Sequence, residues 1–274
     1  MRTRAPAKLN LFLHVLRRRS DGYHDLETVF ELVDLCDEVQ VRLRGDGQIR
    51  REPPPSDPLL AALPDEADLT VRAARVLQTA SGCPLGADIH VLKRIPAGGG
   101  LGGGSSDAAA VLLLLNRLWQ LDWPRERLAA LGATLGADVP VFVHGRAAFA
   151  RGRGDEITPL ALPSRWYLIV HPGVAVPTAE IFGAAELTRD TPACRIAAVP
   201  DGGGRNDCEP VVRQRYPEVA AALDWLAAQG SPGRLTGTGS CVFTVCPSRE
   251  AAEGLAQRLP PRWQGFVARS LDPA

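Results

Sequence analysis

The chain has 274 residues, which is enough for one large domain or two smaller ones with a sizeable buried core. Its 31 basic and 31 acidic residues cancel, so the composition gives no basis for a surface that binds nucleic acid or a membrane. The six cysteines and five histidines are dispersed without the spacing of a zinc site. This favours reduced thiols in a cytoplasmic protein and no metal cage built by the protein, and we find neither a signal-peptide pattern nor an apolar run long enough to span a membrane.

The first part of the chain predicts a mixture of strands and helices. Asp68 is suited to cap a helix because it immediately precedes a run with helical apolar spacing. A Pro-rich loop is expected at 52–58. Apolar patterns predict strands at 5–16, at two places within 25–44 (one of them 38–43) and at 88–95, and helices at 68–80, 106–121 and 125–135.

A second series of strands and helices is predicted after residue 159. Strands are predicted at 166–171, 241–246 and 265–270, and helices at 178–187, 217–229 and 248–258. Strands and helices alternate without the regular unit of a doubly wound parallel sheet, so the fold class is α+β with two lobes. We expect an N-terminal domain at 1–159 and a C-terminal domain at 160–274.

A glycine-rich segment at 96–107, PAGGGLGGGSSD, lies between a predicted strand and a predicted buried helix. Glycines in such number lose much conformational entropy on folding, so they indicate a backbone that approaches another group closely. A glycine loop that enters a helix start also presents unpaired N–H groups and a partial positive charge. The segment therefore predicts a phosphate-binding loop.

Two common phosphate-binding motifs do not fit this loop. Gly98, Gly100 and Gly103 satisfy the dinucleotide fingerprint, but Asp122 follows a predicted helix rather than a second parallel strand. The lysine of a P-loop is also missing, because Gly104 stands where that lysine would be. A flexible linker is a poor alternative between an apolar strand and a buried helix. Cationic groups from elsewhere in the chain must therefore assist the loop.

The glycine loop resembles the ATP loop of the GHMP kinases, the small-molecule kinases that include galactokinase, homoserine kinase, mevalonate kinase and phosphomevalonate kinase. Further segments carry the resemblance in the same order along nearly the whole chain: PAKLNL at 6–11, DGYH at 21–24, GADVPVF at 136–142, PTAEIF at 177–182, NDCEP at 206–210 and TGTGSC at 236–241. The segment Asp65–Leu69 departs from the family pattern, so we expect no nucleotide contact there.

The resemblance implies a two-lobed fold, with a ribosomal-protein-type α/β lobe followed by a ferredoxin-like lobe. It implies transfer of the γ-phosphoryl group of ATP, with Mg²⁺, to a small alcohol, and it is closest to members whose alcohol carries a cytidine diphosphate. A related kinase acting on another alcohol and a nucleotide-binding regulator without turnover remain alternatives. Small-molecule partners are implied, whereas the oligomeric state is not indicated.

The resemblance places Lys8 and Asp138 in the catalytic site. Asp138 would accept or orient the hydroxyl proton, and Lys8 would contact phosphate oxygens. Lys8 is one of only two lysines among the 31 basic residues, which favours a specific role over a surface charge. Taken without the family, Asp138 fits a helix N-cap better than a catalytic group, because Asp-Val-Pro is a good helix start.

The remaining site residues also follow from the resemblance. Residues implied to bind ATP are Lys93, Pro96, Ala97, Gly98, Gly99, Gly100, Leu101, Gly102, Gly103, Gly104, Ser105 and Ser106, and the two serines could offer hydroxyls to phosphate or Mg²⁺. Residues implied to bind the substrate are Asn10, Tyr23, His24, Thr178 and Phe182, with the three rings around the cytosine base. Ordinary structural roles compete: strand-edge hydrogen bonding for Asn10, helix capping for Thr178 and core packing for Phe182.

Overall fold

The structure is a computed structural model that describes residues 1–52, 64–194 and 204–271. The Pro-rich loop expected at 52–58 lies outside these residues except for its first position. The chain forms two compact units. The first unit comprises Met1–Ala7, Cys36–Ile95 and Gly102–Gly145, and the second comprises Lys8–Leu35, Pro96–Leu101 and Arg146–Ala274. The sequence-based domain boundary at 159/160 stays a prediction.

Two long strands supply residues to both units. Strand β1 is Arg2–Arg18 and strand β2 is His24–Arg44. The prediction of two separate strands within 25–44 is therefore wrong. No glycine or proline interrupts this stretch, and its apolar residues fit one continuous strand.

The first unit is a sheet covered by helices. In it β3 (Ile49–Glu52) pairs in parallel with β4 (Gly86–Leu92), and β4 pairs antiparallel with the Glu38–Arg44 part of β2. The helices of this unit are α1 (Leu69–Ser81), α2 (Gly103–Leu118), α3 (Arg125–Ala133) and α4 (Val139–His144).

These helices partly match the sequence-based expectations. The predicted cap of α1 is confirmed, because the Asp68 carboxylate accepts the Thr70 N–H at 2.8 Å. Helix α2 begins three residues earlier than expected, because Gly102 caps it in the left-handed region with φ of 72°. Helix α2 packs against α1 and α4, so its nearly continuous apolar surface is buried.

The second unit contains strands of two sheets, one of which is the six-stranded sheet that also includes β1, β3 and β4. Strands β5 (Ala148–Arg151) and β6 (Glu156–Pro159) extend antiparallel from the first half of β2. The other sheet has the antiparallel order β10-β7-β9-β8, formed by Gln264–Arg269, Trp166–His171, Val242–Cys246 and Arg234–Leu235. Its helices are α5 (Thr178–Gly183), α6 (Glu209–Arg215), α7 (Pro217–Ala228) and α8 (Arg249–Ala256). Sequence patterns missed β5, β6 and α6, which are only four to seven residues long.

The core of the second unit includes one end of β1. Leu13 and Val15 of β1 pack with Leu168 and Val170 of β7 and with Ile181 of α5. Helix α5 ends at Gly183, four residues before the predicted end, because Ala184 is extended with ψ of 135°. The end of α5 is thus held against the same core as β1.

Candidate active site

Three carbonyl groups of the glycine loop accept backbone hydrogen bonds from residues of the second unit. The carbonyl of Gly98 accepts the Ser240 N–H at 3.2 Å, and that of Gly99 accepts the Cys241 N–H at 3.1 Å. The Leu101 carbonyl accepts the Lys8 N–H at 3.0 Å. Within the described part of the chain, the N–H groups of Gly100, Leu101 and Gly102 donate no hydrogen bond to the protein. The loop thus offers amide donors to a ligand, as a phosphate cradle requires.

Two of the loop glycines are also required by close packing. A Cβ at Gly100 would lie 2.2 Å from the Thr236 carbonyl oxygen, and a Cβ at Gly99 would lie 2.6 Å from Cys241 Sγ. Gly100 has a φ of +74°, in the left-handed region that favours glycine. The 236–241 turn therefore fixes the backbone of the loop from one side.

In the first unit, the start of helix α2 has donor and acceptor groups without hydrogen-bond partners among the described residues. The N–H groups of its first turn have no partner within the helix, as at every helix start. The Ser106 hydroxyl and Asp107 Oδ1 are buried, and neither has a hydrogen-bond partner among the described residues. Oxygen atoms of this kind are the ligands that Mg²⁺ prefers, so these residues fit the ion that accompanies ATP. Asp107 was not predicted from the sequence.

Lys93 lies between two buried carboxylates of the first unit. Its ammonium group donates to Asp107 Oδ2 at 2.7 Å and to Asp37, whose other oxygen accepts the Ile95 N–H. Burial raises the pKa of Asp107, the Lys93 charge opposes this and Asp37 adds to it. Two carboxylates share one ammonium here, so the cluster favours an additional cation. The contact of Lys93 with ATP stays a prediction.

Lys8 and Asn10 lie side by side on β1 in the second unit, and both are buried. The Lys8 ammonium donates to Asn10 Oδ1, and Asn10 Nδ2 donates to Thr28 Oγ1 at 2.8 Å. The Asn10 N–H donates to Thr236 Oγ1 at 3.0 Å. A side chain at Gly237 would crowd the ammonium, since its Cβ would lie 3.3 Å from Lys8 Nζ. Asn10 thus orients the ammonium rather than forming only strand-edge hydrogen bonds.

Asp138 precedes α4 in the first unit and is partly exposed. Its backbone has helical angles, and within the described residues its side chain makes no capping hydrogen bond to α4. A Cβ at Gly136, two residues earlier, would lie 3.7 Å from Ser105 Oγ at the start of α2. The segment that carries Asp138 therefore approaches the helix end of the glycine loop, and the carboxylate is not used as a cap.

The predicted cytosine-binding rings lie in the second unit. His24 stacks on Phe182 with centroids 5.2 Å apart and ring planes 28° apart. Tyr23 is 57% exposed, which leaves a ring face open to a ligand, and the Arg153 guanidinium lies 5.3 Å from its centroid. Thr178 does not cap α5, where Pro177 is the N-cap, but its hydroxyl lies 3.0 Å from that of Thr238. Phe182 also packs against the core of the second unit and is only partly buried.

One group of the described residues has the ligand types of a metal site: His14, Glu27 and Cys194, whose ligand atoms lie within 4.8 Å of one another. Glu27 already accepts from Arg151 Nε at 3.2 Å and from the Cys194 N–H at 2.7 Å. Burial, and then Glu27, raise the pKa of the Cys194 thiol to about 11, which disfavours the thiolate that binds metals. Glu27 is therefore satisfied without an ion, whereas His14 Nδ1 is buried and has no hydrogen-bond partner among the described residues.

Sequence patterns missed several residues that hold the site. Asp37 and Thr28 lie far along the chain from the groups they orient and belong to no local motif with chemical meaning. Thr236 opens the TGTGSC segment of the resemblance, but its hydrogen bond to Asn10 was not predicted. Asp107 was part of the quoted glycine segment, and its position directly after two serines at a helix start was an available signal.

The chain matches two domain families and many curated proteins. Residues 68–146 match the N-terminal domain of the GHMP kinases and residues 196–264 match their C-terminal domain. The chain is 54% identical over 267 residues to 4-diphosphocytidyl-2-C-methyl-D-erythritol kinase of Alkalilimnicola ehrlichii, covering 97% of this chain and 90% of that protein. It is 55% identical over 265 residues to the Pseudomonas aeruginosa kinase of the same name, covering 97% and 92%.

Solved structures agree with this relationship. A crystal structure of 4-(cytidine 5'-diphospho)-2C-methyl-D-erythritol kinase superposes with a TM-score of 0.82 at 34% identity and covers 98% of both chains. The mevalonate kinase of Methanococcus jannaschii superposes with a TM-score of 0.73 at 15% identity, covers 99% of this chain and 98% of its own, and supports the fold alone. None of the described helices combines the length and apolarity needed to cross a bilayer. The predicted two-lobed α+β fold is confirmed, and the chain belongs to the GHMP kinases, in the family of 4-diphosphocytidyl-2-C-methyl-D-erythritol kinases.

Proposed function

We propose that this chain transfers the γ-phosphoryl group of ATP to the 2-hydroxyl of 4-diphosphocytidyl-2-C-methyl-D-erythritol, in the methylerythritol phosphate pathway of isoprenoid biosynthesis. The observation that carries the kinase assignment is the glycine loop, whose carbonyls are bound by the protein while its amides are left for a ligand. The identity of the alcohol is supported by relatives about 54% identical over nearly the whole chain. The products are ADP and the 2-phosphate.

The chemistry is assigned to Asp138 and Lys8. In direct transfer, the substrate 2-hydroxyl oxygen bonds to the γ-phosphorus as the bond to the β,γ-bridging oxygen breaks. Asp138 accepts the hydroxyl proton, a role that the resemblance to the GHMP kinases gives it and that fits the approach of its segment to Ser105 at the start of α2. Lys8 offsets the charge on the transferring group through an ammonium that Asn10 holds in position. The contacts that support each role lie within one unit, and we propose that the two residues act together on the transferring phosphoryl group.

The start of α2 would hold the Mg²⁺ that accompanies ATP. Ser106 Oγ and Asp107 Oδ1 would supply its protein ligands, since both are buried oxygens without partners among the described residues. When bound, the ion neutralises charge on the phosphate oxygens. Asp107, Asp37 and Lys93 set the local charge balance that favours a cation.

The substrate side of the site is assigned to the second unit. Tyr23, His24 and Phe182 would hold the cytosine base by stacking and edge contacts, and Thr178 would contact the substrate through its hydroxyl. We further propose that the enzyme acts in the cytoplasm and that its domains divide near residue 160. Neither nucleic acid nor a membrane is expected as a partner.

The test is ADP release with each alcohol, combined with ³¹P NMR of the product. We expect ADP and a 2-phosphate monoester only when 4-diphosphocytidyl-2-C-methyl-D-erythritol is present. Equal ADP release with homoserine or mevalonate would instead support a related kinase without a base-binding site. ATP binding without ADP release for any of these alcohols would support a non-catalytic regulator.

A further inference from the structure

The guanidinium group of Arg189, five residues beyond Ala184, the C-cap of α5, uses every donor it has. Its two terminal nitrogens donate to the carbonyl oxygens of Phe182 and Ala184 (3.0 and 2.6 Å) and of Ala185 and Leu187 (3.5 and 3.0 Å). The remaining donor, Nε–H, points to His24 Nε2 at 3.1 Å. One side chain therefore binds the end of α5 and the ring of His24 together.

This contact fixes which nitrogen of His24 carries a proton. An arginine Nε can only donate a hydrogen bond, so His24 Nε2 must accept and cannot carry a hydrogen. The imidazole is then neutral, and its one proton is on Nδ1. On the basis of the proposed function, we propose that Arg189 is a positioning residue that holds His24 in the neutral Nδ1–H form and thereby sets the hydrogen-bonding pattern of the nucleobase subsite.

The surroundings of His24 support the uncharged ring. His24 is 7% exposed. Burial lowers its pKa, and the positive charges of Arg189 and Arg18 lower it further. The neighbouring carboxylate of Asp25 is paired with Arg17 and Arg19. At neutral pH the ring therefore stays neutral and presents a single donor nitrogen.

Arg189 also fixes the stacking surface next to that donor. It binds the Phe182 carbonyl directly, and the Phe182 ring is stacked on His24. The cation lies at the carbonyl end of α5, where a positive charge interacts favourably with the helix. The aromatic face and the polar edge of the base site are thus held by the same guanidinium.

The chemical consequence is selectivity between pyrimidines. Cytosine N3 is an acceptor and can receive the Nδ1–H, whereas uracil N3 carries a hydrogen and would face this donor without an acceptor. The tautomer with the proton on Nε2 would reverse this preference, because Nδ1 would then be an acceptor. A site that leaves buried polar groups unpaired rejects the wrong ligand strongly.

The first experiment reads the tautomer in the wild-type full-length protein. Two-bond ¹H–¹⁵N correlation spectra at pH 7, assigned with the His24→Gln variant, distinguish the two nitrogens. We expect a protonated Nδ1 and an unprotonated Nε2 in the absence of substrate. A proton on Nε2, or a charged ring, would overturn the proposal whatever the variants do.

The second experiment compares Arg189→Gln with Arg249→Gln, the same substitution at an exposed arginine of α8 that pairs with Glu253. For Arg189→Gln we expect the preference in kcat/KM for the cytidine substrate over its uridine analogue to fall roughly ten- to a hundredfold. The KM for ATP should stay within about twofold, and Arg249→Gln should match the wild type in both. Unchanged base preference in a folded Arg189→Gln protein would contradict the proposal.

The pH profile separates positioning from a general loss of structure. Wild-type kcat/KM for the cytidine substrate should fall at acidic pH as His24 takes up a proton. Removing the Arg189 charge raises the pKa of His24, so in Arg189→Gln this fall should move to higher pH; no movement would count against the proposal. A wild type that releases no ADP with the cytidine substrate would refute the proposed function, while the NMR measurement would still test the tautomer.

Discussion

At the scale of single residues, Lys8 places an ammonium group in the interior on β1, where it is only 4% exposed. Asn10 and Thr28 form a chain of hydrogen bonds that ends at the Phe12 carbonyl and orients this group. A buried lysine that is held in one direction suits contact with a transferring phosphoryl group, since its position need not be reorganised during the reaction. Lys8 would therefore contact the phosphoryl group, whereas Asn10 and Thr28 hold its ammonium group in position.

Changing Asp138 to Asn should abolish most turnover without affecting nucleotide binding. The amide cannot accept the hydroxyl proton, so we expect kcat to fall at least about a hundredfold. The KM for ATP should change less than about twofold. Steady-state kinetics measure both, with Asp224→Asn on the exposed face of α7 as the control. Turnover equal to the wild type in Asp138→Asn would refute its catalytic role.

Changing Asn10 to Ala should release the Lys8 ammonium from its position. Because the reaction depends on where that charge lies, we expect kcat to fall about tenfold or more. Thr28→Val removes the next hydrogen bonds of the chain while retaining the side-chain shape, and should give a smaller loss of the same kind. If Asn10→Ala kept wild-type kcat and raised only the KM for the alcohol, Asn10 would instead be a direct substrate contact.

At the scale of elements, the glycine loop owes its shape to the turn at 236–241 as well as to its own sequence. The carbonyls of Gly98 and Gly99 are bound by the backbone of that turn, so the amides on the other side of the loop are left for a ligand. Gly100 lies closest to the turn. The loop and the turn thus form one structural element although they are far apart in the chain.

Changing Gly100 to Ala should therefore destabilise the protein strongly. The left-handed φ and the approach to the Thr236 carbonyl together predict a loss of at least about 2 kcal/mol in the free energy of unfolding. Gly254→Ala in α8 is the matched control, because no atom lies within 4 Å of its Cβ position. That substitution should stabilise by up to about 1 kcal/mol, since alanine is the better helix former. Urea denaturation measures both, and equal effects would contradict this account.

Glu31 connects the two sheets of the second unit, because its carboxylate on β2 accepts a hydrogen bond from the Tyr167 hydroxyl on β7. Burial raises the pKa of Glu31, although hydrogen bonds from Tyr167 and Ser270 and the charge of Arg165 oppose this. The folded protein then retains the Glu31 proton to higher pH than the unfolded chain does. The Glu31 contribution to the free energy of unfolding therefore falls as the pH rises from about 4.5 through the raised pKa.

Changing Glu31 to Gln should remove this pH dependence while retaining an acceptor for Tyr167. We expect the stability of the variant relative to the wild type to be more favourable at pH 8 than at pH 5. Urea denaturation at the two pH values measures this difference, with Glu253→Gln on exposed α8 as the control. The opposite trend would mean that Glu31 is stabilised as a carboxylate.

At the scale of the whole molecule, all six cysteines lie in described residues and are free thiols. Cys36, Cys208, Cys241 and Cys246 are buried, and only Cys83 and Cys194 are partly exposed. Thiolate formation, which controls thiol reactivity, is further disfavoured at Cys194 by its raised pKa. Folding therefore buries four of the six thiols.

We expect a thiol reagent such as dithionitrobenzoate to modify Cys83 rapidly in the native protein and the other cysteines only slowly. The Cys83→Ser variant should lack the fast phase, and unfolding in urea should release six reactive thiols in the wild type. A fast phase that persists in Cys83→Ser would show that another thiol is accessible. Reducing agent should leave the melting temperature unchanged.

Local sequence patterns predicted the elements whose signals lie within a few residues of one another. Helix α1 and its Asp68 cap were predicted to within one residue, because capping and apolar spacing are local properties. The division of β2 was predicted wrongly because an apolar pattern defines strand character better than strand ends. Helix α4 was foreseen only as a possible start at Asp138, and it is six residues long.

The sequence by itself determined the glycine loop, the family of the chain and the residue types needed for phosphoryl transfer, because these are written in contiguous motifs. Only the tertiary structure decided which loop atoms face the protein, which carboxylates hold Lys93, and that Arg189 sets the state of His24. The physical reason is distance along the chain. The bond from the Asn10 N–H to Thr236 joins residues 226 positions apart, and no local pattern encodes a hydrogen bond that exists only after the chain has folded.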